Sequence, residues 1–209
     1  MDQSQRARIR AGDAGAFAEL FDAHARAVYR YAVRGTADWS AAEDVVSLTF
    51  LEAWRLRGTL RPEGDSLLPW LLGIATNVLR NTARSARRHR AALARLPLRE
   101  AVPDFADELV GRIRDAEQLA AAQRALAALR RGDREVFMLC VWSGLDYAAA
   151  AESLGVPVGT VRSRLSRARK RLRALAQKEL EQKQEPLGRS GQHSVGRVEP
   201  SRSTEEKYR

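Results

Sequence analysis

The stretch that decides the fold is LGVPVGTVRSRL, from Leu154 to Leu165, and its character continues to Arg173. Gly155 can take the left-handed conformation that ends a helix. Pro157 cannot stand inside a helix, so a new helix has to begin after it. From Val161 onward, apolar residues recur at spacings of 4, 3, 4 and 3, which defines one face of a helix. The stretch therefore predicts the turn and second helix of a helix-turn-helix.

The outer face of this second helix is basic. At about 100° per residue, the face opposite the apolar one can be read directly from the sequence. It carries Arg162, Ser163, Ser166, Arg167, Lys170 and Arg173. Residues 162–173 hold seven basic side chains and no acidic one. A helix with one buried face and one basic face fits the major groove of DNA; the alternative is an ordinary solvated surface helix.

The positive charge of the chain is concentrated in two patches. The 209 residues carry a formal net charge of +10. Residues 162–173 contribute +7 and residues 80–95 contribute +6, so the rest of the chain carries −3. Such patches indicate a polyanionic partner, although acidic lipids or proteins also bind basic surfaces.

Several classes of protein are disfavoured by what the sequence lacks. Its one cysteine, Cys140, stands in an apolar run where we expect a core residue, and this usage fits a reducing cytosol. Three scattered histidines, with no carboxylate pair or phosphate loop, predict no enzyme, no cofactor and no metal site. The polar start is unlike a secretory signal, and no run approaches the ~18 apolar residues of a membrane span. We expect a cytoplasmic protein without membrane insertion.

Helical periodicity predicts three helices in the first half of the chain. They are a helix over 13–34 capped by Asp13, a helix over 40–57 capped by Ser40 and, after a loop over 58–68, a helix over 69–88 with Pro69 in its first turn. The outer face of the third helix sets Asn77 and Asn81 among arginines. Arginine can hold phosphates and asparagine can hydrogen-bond a base edge, so this face is a second candidate nucleic-acid surface.

The second half predicts a linker, a small helical domain and a tail. Prolines and acidic residues mark the linker. The alternation of apolar and polar residues that is typical of strands is missing throughout the sequence. Four helices are expected: one over 116–129, one capped by Asp133 that ends near Gly144, one over 147–154, and the basic helix. The expected fold is all-α, with two small helical domains joined by a flexible linker, the second a four-helix domain with the helix-turn-helix. Its parts are residues 1–90, the acidic linker 91–115, residues 116–177, and a disordered tail over 178–209.

The order of these pieces resembles the bacterial RNA polymerase sigma factors of the extracytoplasmic-function (ECF) group, in the sigma-70 family. Residues 42–54 (AEDVVSLTFLEAW) and 69–77 (PWLLGIATN) look like region 2 of that family. Residues 147–171, with LGVP at 154–157 and GTVRSRLSRAR at 159–169, look like region 4. An isolated helix-turn-helix would be weak evidence, whereas both halves in this order are specific.

The resemblance implies a sigma factor that binds core RNA polymerase, recognises duplex −35 DNA and single-stranded −10 DNA, and assists promoter melting. It implies polymerase contacts at Glu43, Asp44, Ser47 and Phe50. It implies −10 contacts at Arg61, Trp70, Asn77, Arg80, Asn81 and Arg84, and −35 contacts at Thr160, Arg162, Ser163, Ser166, Arg167 and Lys170. An anti-sigma factor is a further implied partner, which nothing in the sequence identifies.

The sequence departs from the family pattern at two places. Ser47-Leu48 replaces the usual Gln-Glu, and the helix before the turn reads Tyr-Ala-Ala-Ala-Ala where the family has Glu-Glu-Ile. The alternative function is a stand-alone helix-turn-helix regulator whose first half is a sensor or dimerisation domain. Residues 158–173 fit that alternative equally well, but the basic, asparagine-bearing third helix and the acidic linker do not.

Overall fold

The computed structural model describes residues 3–36, 38–93 and 124–184, and its regular elements there are all helices. They are α1 (Gln3–Ala11), α2 (Ala14–Thr36), α3 (Trp39–Leu56), a 3₁₀ turn (Arg57–Thr59), α4 (Leu68–Leu93), α5 (Arg131–Phe137) with a π-helical continuation (Met138–Trp142), α6 (Tyr147–Leu154) and α7 (Val158–Gln184). Residues 124–127 are also helical. The predicted all-α class is confirmed. None of the helices in these ranges is long and apolar enough to cross a membrane.

The first half of the chain is a bundle in which α3 packs against both α2 and α4. The apolar faces predicted for these helices supply its core: Leu20, Val28, Val45, Ala53, Leu71 and Ala75 are fully buried. The hydroxyls of Tyr31 and Thr76 lie 2.7 Å apart in the interior, so α2 and α4 also share a buried hydrogen bond. Burial raises the pKa of Tyr31 well above its usual range, so the phenol stays neutral.

The second half is built around the helix-turn-helix. Gly155 ends α6 with φ of 62°, the left-handed conformation predicted for it. Pro157 lies just outside α7, and its carbonyl accepts the amide of Val161 at 3.2 Å. Val161, Leu165 and Ala168 are buried, which confirms the predicted apolar face of the basic helix. This face packs on α5 and α6.

Helix α1 was not predicted, because its nine residues are almost entirely polar. Only Ile9 offers a large apolar side chain, and it is fully buried. Arg6 is also buried, with 5% of its surface exposed. A helix fixed by one apolar residue and one buried arginine leaves no periodic signal in the sequence.

Two of the predicted helix caps are wrong. The side chain of Asp38, not Ser40, caps α3, because its Oδ1 accepts the amide of Ala41 at 3.1 Å. Asp133 does not cap α5: it lies inside the helix, and its buried carboxylate accepts from Arg167 of α7 instead. The prediction for Asp13 is confirmed, since its Oδ1 accepts the amide of Ala16 at 3.0 Å.

The helix boundaries differ from the predicted ones mainly in length. Helix α4 continues to Leu93, into the segment predicted as linker, and α7 continues to Gln184, past the predicted start of the tail at 178. The rest of the predicted linker and tail, and the beginning of the helix predicted over 116–129, lie outside the described residues.

The cap of α3 can be tested with a matched pair of variants. We expect Asp38→Ala to lower the free energy of unfolding by about 1 kcal/mol, because the N-terminal amides of α3 lose their side-chain acceptor. Ser40→Ala, two residues away on the same exposed turn, should change it by only a few tenths of that. Urea unfolding followed by circular dichroism measures both; equal losses would contradict the assignment of the cap.

Candidate nucleic-acid interface

The outward face of α7 is the first candidate surface. Arg162, Ser163, Ser166 and Lys170 are all exposed, as the helical periodicity predicts, while Thr160 is half-buried near the start of the helix. The hydroxyl of Ser163 donates to the carbonyl of Thr160 at 3.0 Å. Basic side chains are therefore exposed to solvent on a helix whose opposite face is buried in the core.

Helix α6 adds an aromatic residue to this surface. Tyr147, at the first position of α6, is exposed, and the Arg162 guanidinium lies 5.9 Å from the centre of its ring. Tyr147 shares a groove with Arg162, Ser166 and Lys170 of α7. Tyr147 is not among the residues that the sequence predicts to contact DNA. Its place at the first residue of the helix before the turn is the feature of the sequence that could have indicated an exposed position.

Arg167 differs from its neighbours because it is anchored. Its Nη2 donates to Oδ1 of Asp133 at 3.0 Å. The Asp133 side chain is buried, whereas that of Arg167 is 55% exposed. One edge of the guanidinium is thus fixed by α5, while the remainder faces solvent. Asp133 is a positioning residue that sequence reasoning missed.

The outward face of α4 is the second candidate surface, and its arginines differ in their partners. Arg84 and Asn81 are exposed. Arg80 donates through Nε and Nη2 to the carboxylate of Glu135 at 2.7 and 2.6 Å, and through Nη1 to Oδ1 of Asn77 at 3.0 Å. The hydrogen bond to Glu135 raises the pKa of Arg80, with the charge of Glu135 adding to the effect. Arg80 and Asn77, both expected to contact DNA, are engaged with protein groups here.

The loop between the 3₁₀ turn and α4 is held in place by α1. Arg6 donates from Nη1 to the carbonyl of Arg61 at 3.1 Å and from Nη2 to the carbonyl of Ser66 at 2.7 Å. Arg10 donates to the carbonyl of Leu60. Gly64 has φ of 126°, a conformation that strains any other residue, and a Cβ there would also crowd the Arg6 guanidinium at 3.0 Å. Sequence reasoning missed both arginines.

The other two residues expected to contact the −10 strand, Arg61 of the loop and Trp70 in the first turn of α4, have different environments. The side chain of Arg61 is 74% exposed, with Nη1 3.5 Å from a carboxylate oxygen of Glu152 on α6. Trp70 is half-buried and packs against the core.

The exterior of α3 is acidic at its start and apolar further along. Glu43, Asp44 and Ser47 are exposed, as expected of a contact surface. Phe50, which the sequence predicts as a polymerase contact, is instead a core residue. It is 5% exposed, and the centres of its ring and the Phe21 ring lie 4.7 Å apart.

Two leucines of α3 are exposed instead, Leu48 by 47% and Leu51 by 67%. Leu48 lines a groove of about 340 Å³ between α3 and α4, together with Ile74, Asn77 and Asn81.

Comparison with known proteins places this geometry in a family. Residues 20–89 match the family Sigma-70 region 2, and residues 119–172 match Sigma-70, region 4. The ECF RNA polymerase sigma factor SigL of Mycobacterium tuberculosis is 34% identical over 176 residues, which are 80% of this chain and 92% of that protein. The chain belongs to the ECF sigma factors of the sigma-70 family. The resemblance stated from the sequence is thereby confirmed.

Solved structures of sigma factors share the fold. CnrH, determined in complex with the cytosolic domain of CnrY, gives a TM-score of 0.64 at 27% identity and covers 85% of this chain and 98% of that one. The sigma factor RpoE of Bartonella quintana, determined with the anti-sigma factor NepR, gives a TM-score of 0.57 at 26% identity, over 77% and 96%. This sigma factor therefore has both a region 2 and a region 4, and it functions in promoter-directed transcription initiation.

The anchoring of the loop by α1 yields a prediction. We expect Arg6→Ala to make cleavage after Glu63 by the protease Glu-C about tenfold faster, because the loop carbonyls lose charged hydrogen bonds and local opening becomes easier. Arg26→Ala, at an exposed position of α2, should leave the rate unchanged. Mass spectrometry of timed digests locates the cut. Equal rates in the two variants would show that Arg6 does not hold the loop.

Proposed function

We propose that α7 reads the −35 element as duplex DNA. Its exposed face carries Arg162, Ser163 and Lys170, and residues 162–173 of the helix include no acidic side chain. Arginine can form paired hydrogen bonds with a guanine edge. Arg162 and Tyr147 line the same groove, so it has one charged and one planar side chain. The observation that supports this role most strongly is that the turn fixes α7 with its basic face outward and its apolar face buried.

We propose that the loop over residues 60–67 and the outer face of α4 bind the −10 element as a single strand. Arg84, Asn81 and Arg61 are exposed there, and Trp70 lies at the edge of the core. Single-strand binding favours a basic track beside a planar side chain, on which an unstacked base can rest. The hydrogen bonds from Arg6 and Arg10 support this proposal because they fix the backbone that carries Arg61.

The polymerase contact is assigned to the exterior of α3. Exposed Glu43, Asp44 and Ser47 supply its polar part, and the exposed side chains of Leu48 and Leu51 replace Phe50 as its apolar part.

Two modest DNA contacts held on one enzyme act together through effective concentration, so neither needs high affinity alone.

The remaining assignments follow from this mechanism. The domains would be residues 1–90 and 116–177, joined by the acidic linker 91–115. The protein would act in the cytoplasm and carry no catalytic activity of its own. Because CnrH and the Bartonella RpoE were each solved in complex with another protein, NepR being an anti-sigma factor, we extend the proposal to an anti-sigma factor as a regulator of this chain.

The −35 assignment is tested by run-off transcription with a bacterial core RNA polymerase, on promoters found by mapping transcript starts after overexpression. Arg162→Ala should lower promoter-specific transcript by about tenfold or more, the cost of one good base contact. Lys178→Ala removes an exposed positive charge further along the same helix and should have little effect. Equal losses would show that charge alone, and not the groove beside Tyr147, supports binding.

A further inference from the structure

The start of α5 contacts two arginines of α7. Asp133 lies in the first turn of α5, and its carboxylate accepts from Arg167, with Nη2 3.0 Å from Oδ1 and Nε 3.4 Å from Oδ2. About one turn earlier on α7, the Arg164 guanidinium lies against Gly132. Both contacts join α5 to the helix that is proposed to read the −35 element.

Gly132 leaves room for one of these arginines. A Cβ at this position would lie 3.1 Å from the guanidinium carbon of Arg164 and 3.2 Å from its Nε, which is closer than ordinary van der Waals contact. The next residue, Asp133, supplies the carboxylate for Arg167. Two consecutive residues of α5 are therefore matched to two arginines on α7.

The two members of the ion pair differ in exposure. The Asp133 side chain is 9% exposed, whereas that of Arg167 is 55% exposed. A carboxylate that is buried loses its hydration and needs a charged partner, which Arg167 supplies. Asp133 also stands where the dipole of α5 favours a negative charge. The carboxylate is therefore the fixed member of the pair, and the arginine is the member that reaches solvent.

The pair occupies only one edge of the Arg167 guanidinium. Arginine carries five N–H donors in a rigid planar fork. Asp133 takes the side edge formed by Nε and Nη2, and in the described part of the chain it is the one group that accepts from Arg167. The end of the fork keeps one donor on Nη1 and one on Nη2. Two such donors match the N7 and O6 acceptors that guanine presents in the major groove.

Arg167 stands in the middle of the exposed face of α7. Ser163 lies four residues before it and Lys170 three residues after it, and these spacings place all three on one face. Arg162 is held differently, because its guanidinium lies 5.9 Å from the centre of the Tyr147 ring. A ring does not fix the direction of the N–H donors within their plane, whereas a two-point contact with a carboxylate does.

We propose that Asp133 is a positioning residue for base specificity, which holds Arg167 so that the end of its fork meets a guanine of the −35 element. The inference rests on the −35 role proposed for α7 and names the base that one of its side chains selects. An arginine that is already held loses less conformational freedom on binding. It is also kept from turning to a phosphate, a contact that carries no sequence information. Asp133 therefore acts on discrimination between bases more than on overall affinity for DNA.

Discrimination is measured by single-round run-off transcription with the full chain and a bacterial core RNA polymerase. On one mapped promoter, each G·C pair of the −35 element is replaced in turn by A·T, and the ratio of the two transcripts gives the discrimination at that pair. Where Arg167 reads a guanine, the parent should favour G·C by about tenfold or more, as expected of a good bidentate contact. Arg167→Ala should remove the preference at that pair alone and so identify it.

Asp133→Asn keeps the size of the side chain and removes the charge that holds the guanidinium. It should lower the preference at the identified pair from about tenfold to about twofold and leave the other pairs at the parental ratio. Asp133→Glu keeps the charge and moves the carboxylate by one methylene group, so it should retain more of the preference. Asp22→Asn removes an exposed carboxylate from α2 and is the matched control, which should resemble the parent.

A double variant separates positioning from a general effect on the fold. In the Arg167→Ala background, Asp133→Asn should change the ratio at the identified pair no further, since it acts through that arginine. Circular dichroism should show the same helical content in every variant. A further loss in the double variant would overturn the proposal.

Two other results would also overturn it. An equal fall at every pair in Asp133→Asn would show a loss of packing behind α7, and a parental ratio at the pair identified by Arg167→Ala would show that the carboxylate does not position the arginine. Absence of promoter-specific transcript from the parent would instead contradict the proposed function, and the inference would fall with it.

Discussion

An ion pair between Arg80 and Glu135 links the two halves of the chain through a buried carboxylate. It joins a residue of the first bundle to a buried carboxylate of the helix-turn-helix domain, 55 positions further along the chain. A buried carboxylate needs charged partners to offset the loss of water, and Glu135 obtains them from both halves, Arg80 and Arg131. The electrostatic needs of this one side chain are therefore met by groups from both halves of the chain.

The two candidate DNA surfaces differ in what this contact does to them. Within the described residues, Arg162 and Lys170 of α7 form no ion pair with an acidic side chain, and Asp133 steadies Arg167 without covering it. On α4, Arg80 is engaged while Arg84 and Asn81 remain exposed. The cations of the proposed −35 surface are thus exposed, whereas on the proposed −10 surface Arg80 is engaged with protein groups.

Features whose causes lie within a few residues were predictable from the sequence. Gly155 and Pro157 fixed the turn, and the spacing from Val161 onward gave the buried face of α7. The asparagines and arginines of α4 were found by the same periodicity. For α3 the sequence predicts Ser40 as the cap, and only the backbone geometry shows that Asp38, two positions earlier, caps the helix instead.

Features with distant causes were not predictable from one sequence. Arg6 bonds to a carbonyl 60 residues away, and Asp133 to a guanidinium 34 residues away. Nothing local separates these side chains from ordinary surface charges, so Arg6 was read as part of a polar start and Asp133 as a helix cap. The exposure of Leu51 and the burial of Phe50 likewise depend on where α2 packs on α3.

The central claim is that this chain recognises promoters as a subunit of polymerase, with two surfaces that meet DNA together. Footprinting of one mapped promoter, with the chain alone, core polymerase alone and both combined, tests it most directly. The account predicts protection at −35 and permanganate-reactive thymines at −10 only when both are present. Equal protection by the chain alone, with no reactive thymines upon adding polymerase, would contradict it and indicate a stand-alone DNA-binding regulator.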